Sequence, residues 1–127
     1  MLPFRHSINV LPSDIDEMGH VNNVVYVRWV QEVAAAHWAS VASEELRSRY
    51  LWIVLRHEID YKNPAFINNE IKGTTWVGEH YGARFERFVK LMNQGDKILA
   101  EAKTMWCMVD AKTMRPTRIT DEVLALL

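Results

Sequence analysis

The densest run of chemically capable side chains is PSDIDEMGHVNN, positions 12 to 23, which brings together two carboxylates (Asp14, Asp16), an imidazole (His20) and two carboxamides (Asn22, Asn23). A carboxylate can take a proton from water or attack a carbonyl carbon itself, and either role needs only reach and orientation. The competing reading is local, because Asp orders turns and Asn caps helices through its side-chain oxygen. Metal chemistry is disfavoured by spacing. His6, His20, His37, His57 and His80 stand 14 to 23 positions apart, so no His-x-x-x-His pair exists. Cys107 is the only cysteine, which excludes an intrachain disulfide and a thiolate-rich zinc site. No metal and no cofactor are expected, and a reducing cytoplasm is the simplest compartment.

The elements that must position this run can be read from hydrophobic period. Between Gly19 and Pro64 there is no Gly or Pro, and VVYVRWVQEVAAAHWASV within that window reads as a helix. Arg28, Gln31 and Glu32 share its polar stripe, and so wide an apolar remainder predicts a mostly buried helix. Asn22 and Asn23 stand where its N-cap should be. A polar connector is expected from Ser43 to Arg49. The alternation of LWIVLRHEIDY then predicts a long strand, with Leu51, Ile53, Leu55, His57, Ile59 and Tyr61 on one face and Trp52, Val54, Arg56, Glu58 and Asp60 on the other. Further strands are expected over Glu70 to Gly78, Ala83 to Met92 and Lys97 to Asp110, the last two joined by the turn Asn93 to Asp96. Phe4 to Leu11 supplies a strand before the helix, and TDEVLALL a short terminal helix with acidic residues in its first turn.

Strand, buried helix and four antiparallel strands make an α+β arrangement: a curved antiparallel sheet of about five strands wrapped around one long helix. The 127 residues leave room for a single domain, expected to span 1–127, and 49% apolar residues can fill its core. A formal charge of −1, with no run of Lys and Arg, argues against nucleic acid or an anionic membrane as partner. The sequence MLPFRHSINV lacks the apolar stretch of a signal peptide, and no apolar run approaches a membrane span. One helix cannot cover both faces of five strands. Trp52, Val54, Trp76 and Phe88 are expected on the outer face, so a second copy should cover it, as a homodimer or homotetramer.

The stretch DIDEMGHVNNVVYVRWVQE resembles the signature of hotdog-fold acyl thioesterases, both the 4-hydroxybenzoyl-CoA thioesterase-like family and the acyl-ACP thioesterases. That pattern reads roughly D-x-D-x-x-G-H-V-N-N-x-x-Y-x-x-W. EIDYKNPAFINNEI is similar to the family's strand and following loop, and DAKTMRPTRITDEV to its exit from the last strand. The resemblance implies a hotdog fold and hydrolysis of an acyl thioester to a carboxylic acid and free thiol. It implies that Asp16 is the catalytic carboxylate, as nucleophile through a mixed anhydride or as general base toward water. It makes the backbone N–H of Asn23 the donor to the thioester carbonyl, while Asn22 positions or caps. His20 would orient water or bind substrate. Met18 stands where the plant-type enzymes carry Asn, so a single-carboxylate scheme fits better than an Asp-Asn-His arrangement.

A helix start at Asn22 and Asn23 supports this on independent grounds, because free N–H groups and the positive end of the helix dipole stabilise a developing oxyanion. Tyr26, Trp29 and Glu32 match the pattern, although helical spacing makes Tyr26 and Trp29 core residues first and pocket walls second. Glu58 and Asp60 are a candidate carboxylate pair on one strand face, but beside Arg56 and Lys62 they read as a solvated or subunit-facing row. Arg84, Arg87 and Lys90 offer positive charge on one hairpin, suited to the phosphates of a CoA carrier or to an ordinary charged strand face. The reading is therefore an acyl-CoA thioesterase. Its alternatives are an acyl-ACP thioesterase, which should show a basic docking patch, and a noncatalytic acyl-CoA-binding hotdog protein.

Overall fold

Asn22 caps the long helix as the sequence suggests: its side-chain oxygen accepts the Val24 N–H at 3.0 Å, and α1 runs Asn23–Val41. The computed structural model describes residues 3–127. Ahead of α1 lie β1 (Phe4–Asn9) and a single tight turn at Pro12–Asp14. After it come α2 (Glu44–Arg49), β2 (Tyr50–Tyr61), β3 (Glu70–Tyr81), β4 (Arg84–Met92), β5 (Ile98–Asp110) and α3 (Asp121–Leu126). The five strands form one antiparallel sheet in the order β1-β3-β4-β5-β2, so β1 and β2 are its edges.

α1 lies across the face of β1, β3 and β4. Tyr26, Trp29, Val30 and Val33 from the helix pack with Ile71, Val89, Leu91 and Leu99 from the sheet in the main core. The helix comes this close because of one glycine: a Cβ at Gly73 of β3 would collide with Val33 Cγ2. Arg28, Gln31 and Glu32 face out, as their stripe predicts. A second core gathers Ala42, Leu46, Phe85, Met108, Ile119, Val123 and Leu127, with Trp38 and Trp52 packed against it. Among the described residues, no helix is long and apolar enough to cross a membrane.

Two expectations are corrected. The connector Ser43 to Arg49 is helical: Ser43 Oγ accepts the Leu46 N–H at 3.1 Å, Glu44 and Glu45 occupy the first turn, and Arg47 and Arg49 the last. Cap and charge order favour a helix, and burial of Leu46 anchors it. In β2, strict alternation fails at Leu55. The register against β5 slips between Val54 and Arg56, a bulge that inserts one residue and inverts the faces on either side of it. Trp52 and Val54 therefore share the inner face with His57 and Ile59, and Trp52 meets Trp38 of α1 edge-on, with ring centroids 5.7 Å apart. The outer face carries Leu51 and Ile53, each 41% exposed, in their place. Trp76 and Phe88 do face outward, stacked at 5.8 Å.

Candidate functional site

The loop from Asp14 to Asn22 is closed on itself before it meets α1. Ile15 and Val21 form an isolated antiparallel bridge, and the Asp16 N–H donates to His20 O at 3.0 Å. The Gly19 N–H returns to Asp16 O at 3.0 Å, and Gly19 takes φ +85°, a left-handed turn that glycine adopts without strain. The two Asp residues have separate environments. Asp14 is 1% exposed: its carboxylate accepts the Leu11 N–H at 2.9 Å and Arg28 Nη2 at 2.8 Å, and its carbonyl accepts the Asn22 N–H at 2.9 Å. It ties the loop to the first turns of α1. Asp16 is half-buried, and Oδ1 accepts the Met18 N–H at 2.9 Å in an Asx turn. Oδ2 meets no protein donor among the described residues, so one oxygen fixes the carboxylate while the other can engage water or a carbonyl carbon.

His20 and Asn23 line a shallow depression of about 190 Å³ with Tyr26, Tyr61, Lys62, Asn63 and Pro64. His20 Nδ1 lies 3.3 Å from Val21 O, a carbonyl that can only accept, so Nδ1 is the donor in this contact and Nε2 meets no protein partner among the described residues. The Asn23 N–H, at the first turn of a 19-residue helix, meets no acceptor among the described residues. Asn22 is occupied as the cap. Asp16 is not in the wall of the depression. The Ile15–Val21 bridge and its bond to His20 O hold it on the opposite limb of the same loop.

Tyr26 is a buried strut. Its hydroxyl donates to Asn63 O at 3.4 Å and accepts the Ala65 N–H at 3.0 Å, fixing the segment opposite the Asp14 to Asn22 loop, and burial holds its phenol pKa above the ordinary value. Tyr61 joins the cluster although alternation had not singled it out: its hydroxyl donates to Asn23 O at 3.3 Å, and its ring meets that of Tyr26 edge-on. Glu58 pairs with Arg56 at 2.7 Å on the surface, as a solvated row would. The basic trio divides. Arg84 and Lys90 belong to the outer face of β4, whereas Arg87 points inward, 7% exposed. Arg84 pairs with Cys107, eight residues along β5 from Leu99, which receives the Lys62 N–H. That puts Arg84 roughly 26 Å of strand away from the cluster.

The chain as a whole matches known proteins. The model of the Thioesterase-like superfamily aligns with residues 10–127. The chain belongs to this superfamily. It is 32% identical over 114 residues to an uncharacterized protein found in two strains of Mycobacterium tuberculosis, an alignment covering 89% of this chain and 44% of that protein. The chain thus spans less than half the length of these curated relatives. Among solved structures it resembles the 1,4-dihydroxy-2-naphthoyl-CoA thioesterase of Synechocystis, with TM-score 0.84, 15% identity and coverage of 98% of this chain and 94% of that one. It also resembles a Staphylococcus aureus protein in complex with CoA, with TM-score 0.85, 16% identity and coverage of 98% and 80%. These likenesses show the fold: a curved five-stranded antiparallel sheet with a helix packed against it, the hotdog architecture of thioesterases.

Proposed function

We propose that the protein hydrolyses acyl-CoA thioesters, with Asp16 as the reacting carboxylate and the Asn23 N–H as donor to the carbonyl oxygen. The observation that carries this reading is the pairing, across one closed loop, of a carboxylate with one fixed oxygen and an N–H at the start of a long helix, the second carboxylate oxygen and that N–H meeting no protein partner among the described residues. As general base, Asp16 Oδ2 takes a proton from water while the water oxygen attacks the thioester carbon. Negative charge gathers on the carbonyl oxygen beside the Asn23 N–H and the positive end of α1. The C–S bond then breaks, and the thiolate leaves with a proton. As nucleophile, the same oxygen bonds to the carbonyl carbon, expels the thiolate, and water cleaves the resulting anhydride. His20, whose Nε2 meets no protein partner among the described residues, orients the water, and Asn22, Tyr26 and Tyr61 hold the helix start and the facing segment in place.

A CoA carrier is supported by the two structural relatives named above, one a CoA-thioester hydrolase and one solved with CoA. The active species is a homo-oligomer in this reading. Edge strand β2 offers unpaired backbone groups beside exposed Leu51, Ile53 and Leu55, and leaving such area wet forgoes roughly 25 cal/mol per Å². The test is thiol release from short, long and aromatic acyl-CoA substrates, with acyl-ACP as a parallel arm. Turnover of at least one acyl-CoA is expected. Saturable binding across the panel without thiol release would leave a noncatalytic acyl-CoA-binding protein instead.

A further inference from the structure

Away from the catalytic loop, the C-terminal half of α1 stands over a cavity of about 480 Å³, within the range of small-molecule sites. The small residues Ala34, Ala35 and Ala39 make the space, and the rings of Trp38, Trp52 and Phe85 wall it. Arg87 lies in this apolar wall. Its Nη1 donates to His37 Nδ1 at 2.9 Å and to Thr75 Oγ1 at 3.0 Å, and no other hydrogen bond ties the guanidinium among the described residues. No carboxylate oxygen among them lies within 4.0 Å of it. Glu86 also borders the cavity, but its Oε2 rests beside Gly78 of β3. His37 is neutral, its pKa lowered to about 4 by burial and then by Arg87, so Nδ1 accepts and supplies no counter-charge. Burial lowers Arg87 to about 10, which leaves it cationic at neutral pH.

A buried charge without a partner is costly, and sites retain one where a ligand supplies the missing ion. We propose that this cavity binds an apolar carboxylic acid, with its carboxylate on the Nε and Nη2 donors of Arg87 and its hydrocarbon body against the Trp38, Trp52 and Phe85 rings. The planar fork of a guanidinium matches the two oxygens of a carboxylate. Arg87 is the one cation buried in the wall among the described residues and balances one negative charge, which favours a carboxylate over a doubly charged phosphate. Exposed Arg47 at the rim adds attraction for an anion, and Trp106 Nε1 is a further buried donor in the wall, without a partner among the described residues. The residues involved are separate from those of the Asp16 loop, so the site stands or falls independently of hydrolysis.

The test reads tryptophan fluorescence of the full chain, since Trp38, Trp52 and Trp106 line the cavity. Decanoate is titrated against methyl decanoate and inorganic phosphate, in the wild type and in Arg87→Met, Arg87→Lys and Asp16→Asn. Decanoate should give a saturable change, the neutral ester at least tenfold weaker binding, and phosphate none. Arg87→Met should lose at least tenfold in affinity, Arg87→Lys should lose less, and Asp16→Asn should bind as the wild type does. Equal binding of acid and ester by the wild type would overturn the proposal and needs no variant to fold. So would unchanged affinity in a folded Arg87→Met.

Discussion

Replacing Asp14 with Ala tests whether the first acidic residue of the loop is an anchor rather than a reactant. The substitution removes two bonds to a nearly inaccessible carboxylate, from the Leu11 N–H at 2.9 Å and Arg28 Nη2 at 2.8 Å. A hydrogen bond to a charged group contributes about 1.5–3 kcal/mol net. The Arg28 side chain is half-exposed, so its share is closer to that of a surface pair, about 0.5–1 kcal/mol. Together they give a loss of about 2–4 kcal/mol. With an unfolding entropy of roughly 2.1 cal/mol/K per residue over 127 residues, the midpoint should fall by about 8–15 °C. Thermal denaturation followed by circular dichroism measures this, and a cycle with Arg28→Ala should return a coupling energy near the smaller figure. Turnover should fall as well, because the lost carboxylate bonds from the Leu11 N–H and Arg28 help fix the loop whose main chain holds the Asn22 N–H at the start of α1. An Asp14→Ala protein that melts within about 2 °C of the wild type would refute the anchoring argument.

Three further outcomes follow from the packing. Gly73→Ala should destabilise by about 1–3 kcal/mol, the usual cost of overpacking, because the new Cβ meets Val33 Cγ2, and Val33→Ala in the same chain should restore part of the loss in urea denaturation. His37 is held near 4 in the folded state against 6.5 unfolded, so the unfolded chain binds the extra proton between those values; stability should be full above about pH 6.5 and fall toward pH 4, more steeply than in His37→Gln, and parallel pH profiles would contradict this. Ile53→Lys, on the exposed outer face of β2, should lower the molar mass seen by light scattering, whereas a wild-type monomer that is fully active would dismiss the oligomer.

The helix, the strand order along the chain and the capping Asn22 were legible because each rests on local period or local chemistry. α1 begins within one residue of the expected cap, and the terminal helix forms under Thr120, whose Oγ1 accepts the Val123 N–H at 3.2 Å. β2 was misread on one side of Leu55 because alternation assumes a continuous ladder, and a bulge is fixed by pairing with β5, which a single strand does not encode. The segment from Ser43 to Arg49 looked like a polar connector because only Leu46 of the helix is buried, too little to make a period. At the site, the sequence indicated which residues gather in the loop but not their division of labour. Asp14 and Asp16 are alike in type and two positions apart, and what separates them is the fold: the Leu11 N–H and Arg28, fourteen residues on, both reach the Asp14 carboxylate. Arg87 sits among Arg84 and Lys90 in sequence, yet its odd position on β4 turns it toward the core, a parity that could have been read from the alternation of Phe85, Val89 and Leu91.

The measurement that bears most directly on the central claim is the turnover of Asp16→Asn on the best acyl-CoA, compared with wild type and accompanied by the melting midpoint. Asp16 is half-buried and its Oδ1 serves only an exposed turn, a bond that Asn can keep, so the midpoint should move by no more than a few degrees. Loss of the reacting oxygen should lower kcat by a factor on the order of 100 or more, as removal of a general base or nucleophile does, with little change in KM. A folded Asp16→Asn that keeps near wild-type kcat would contradict the assignment of this carboxylate to the chemistry.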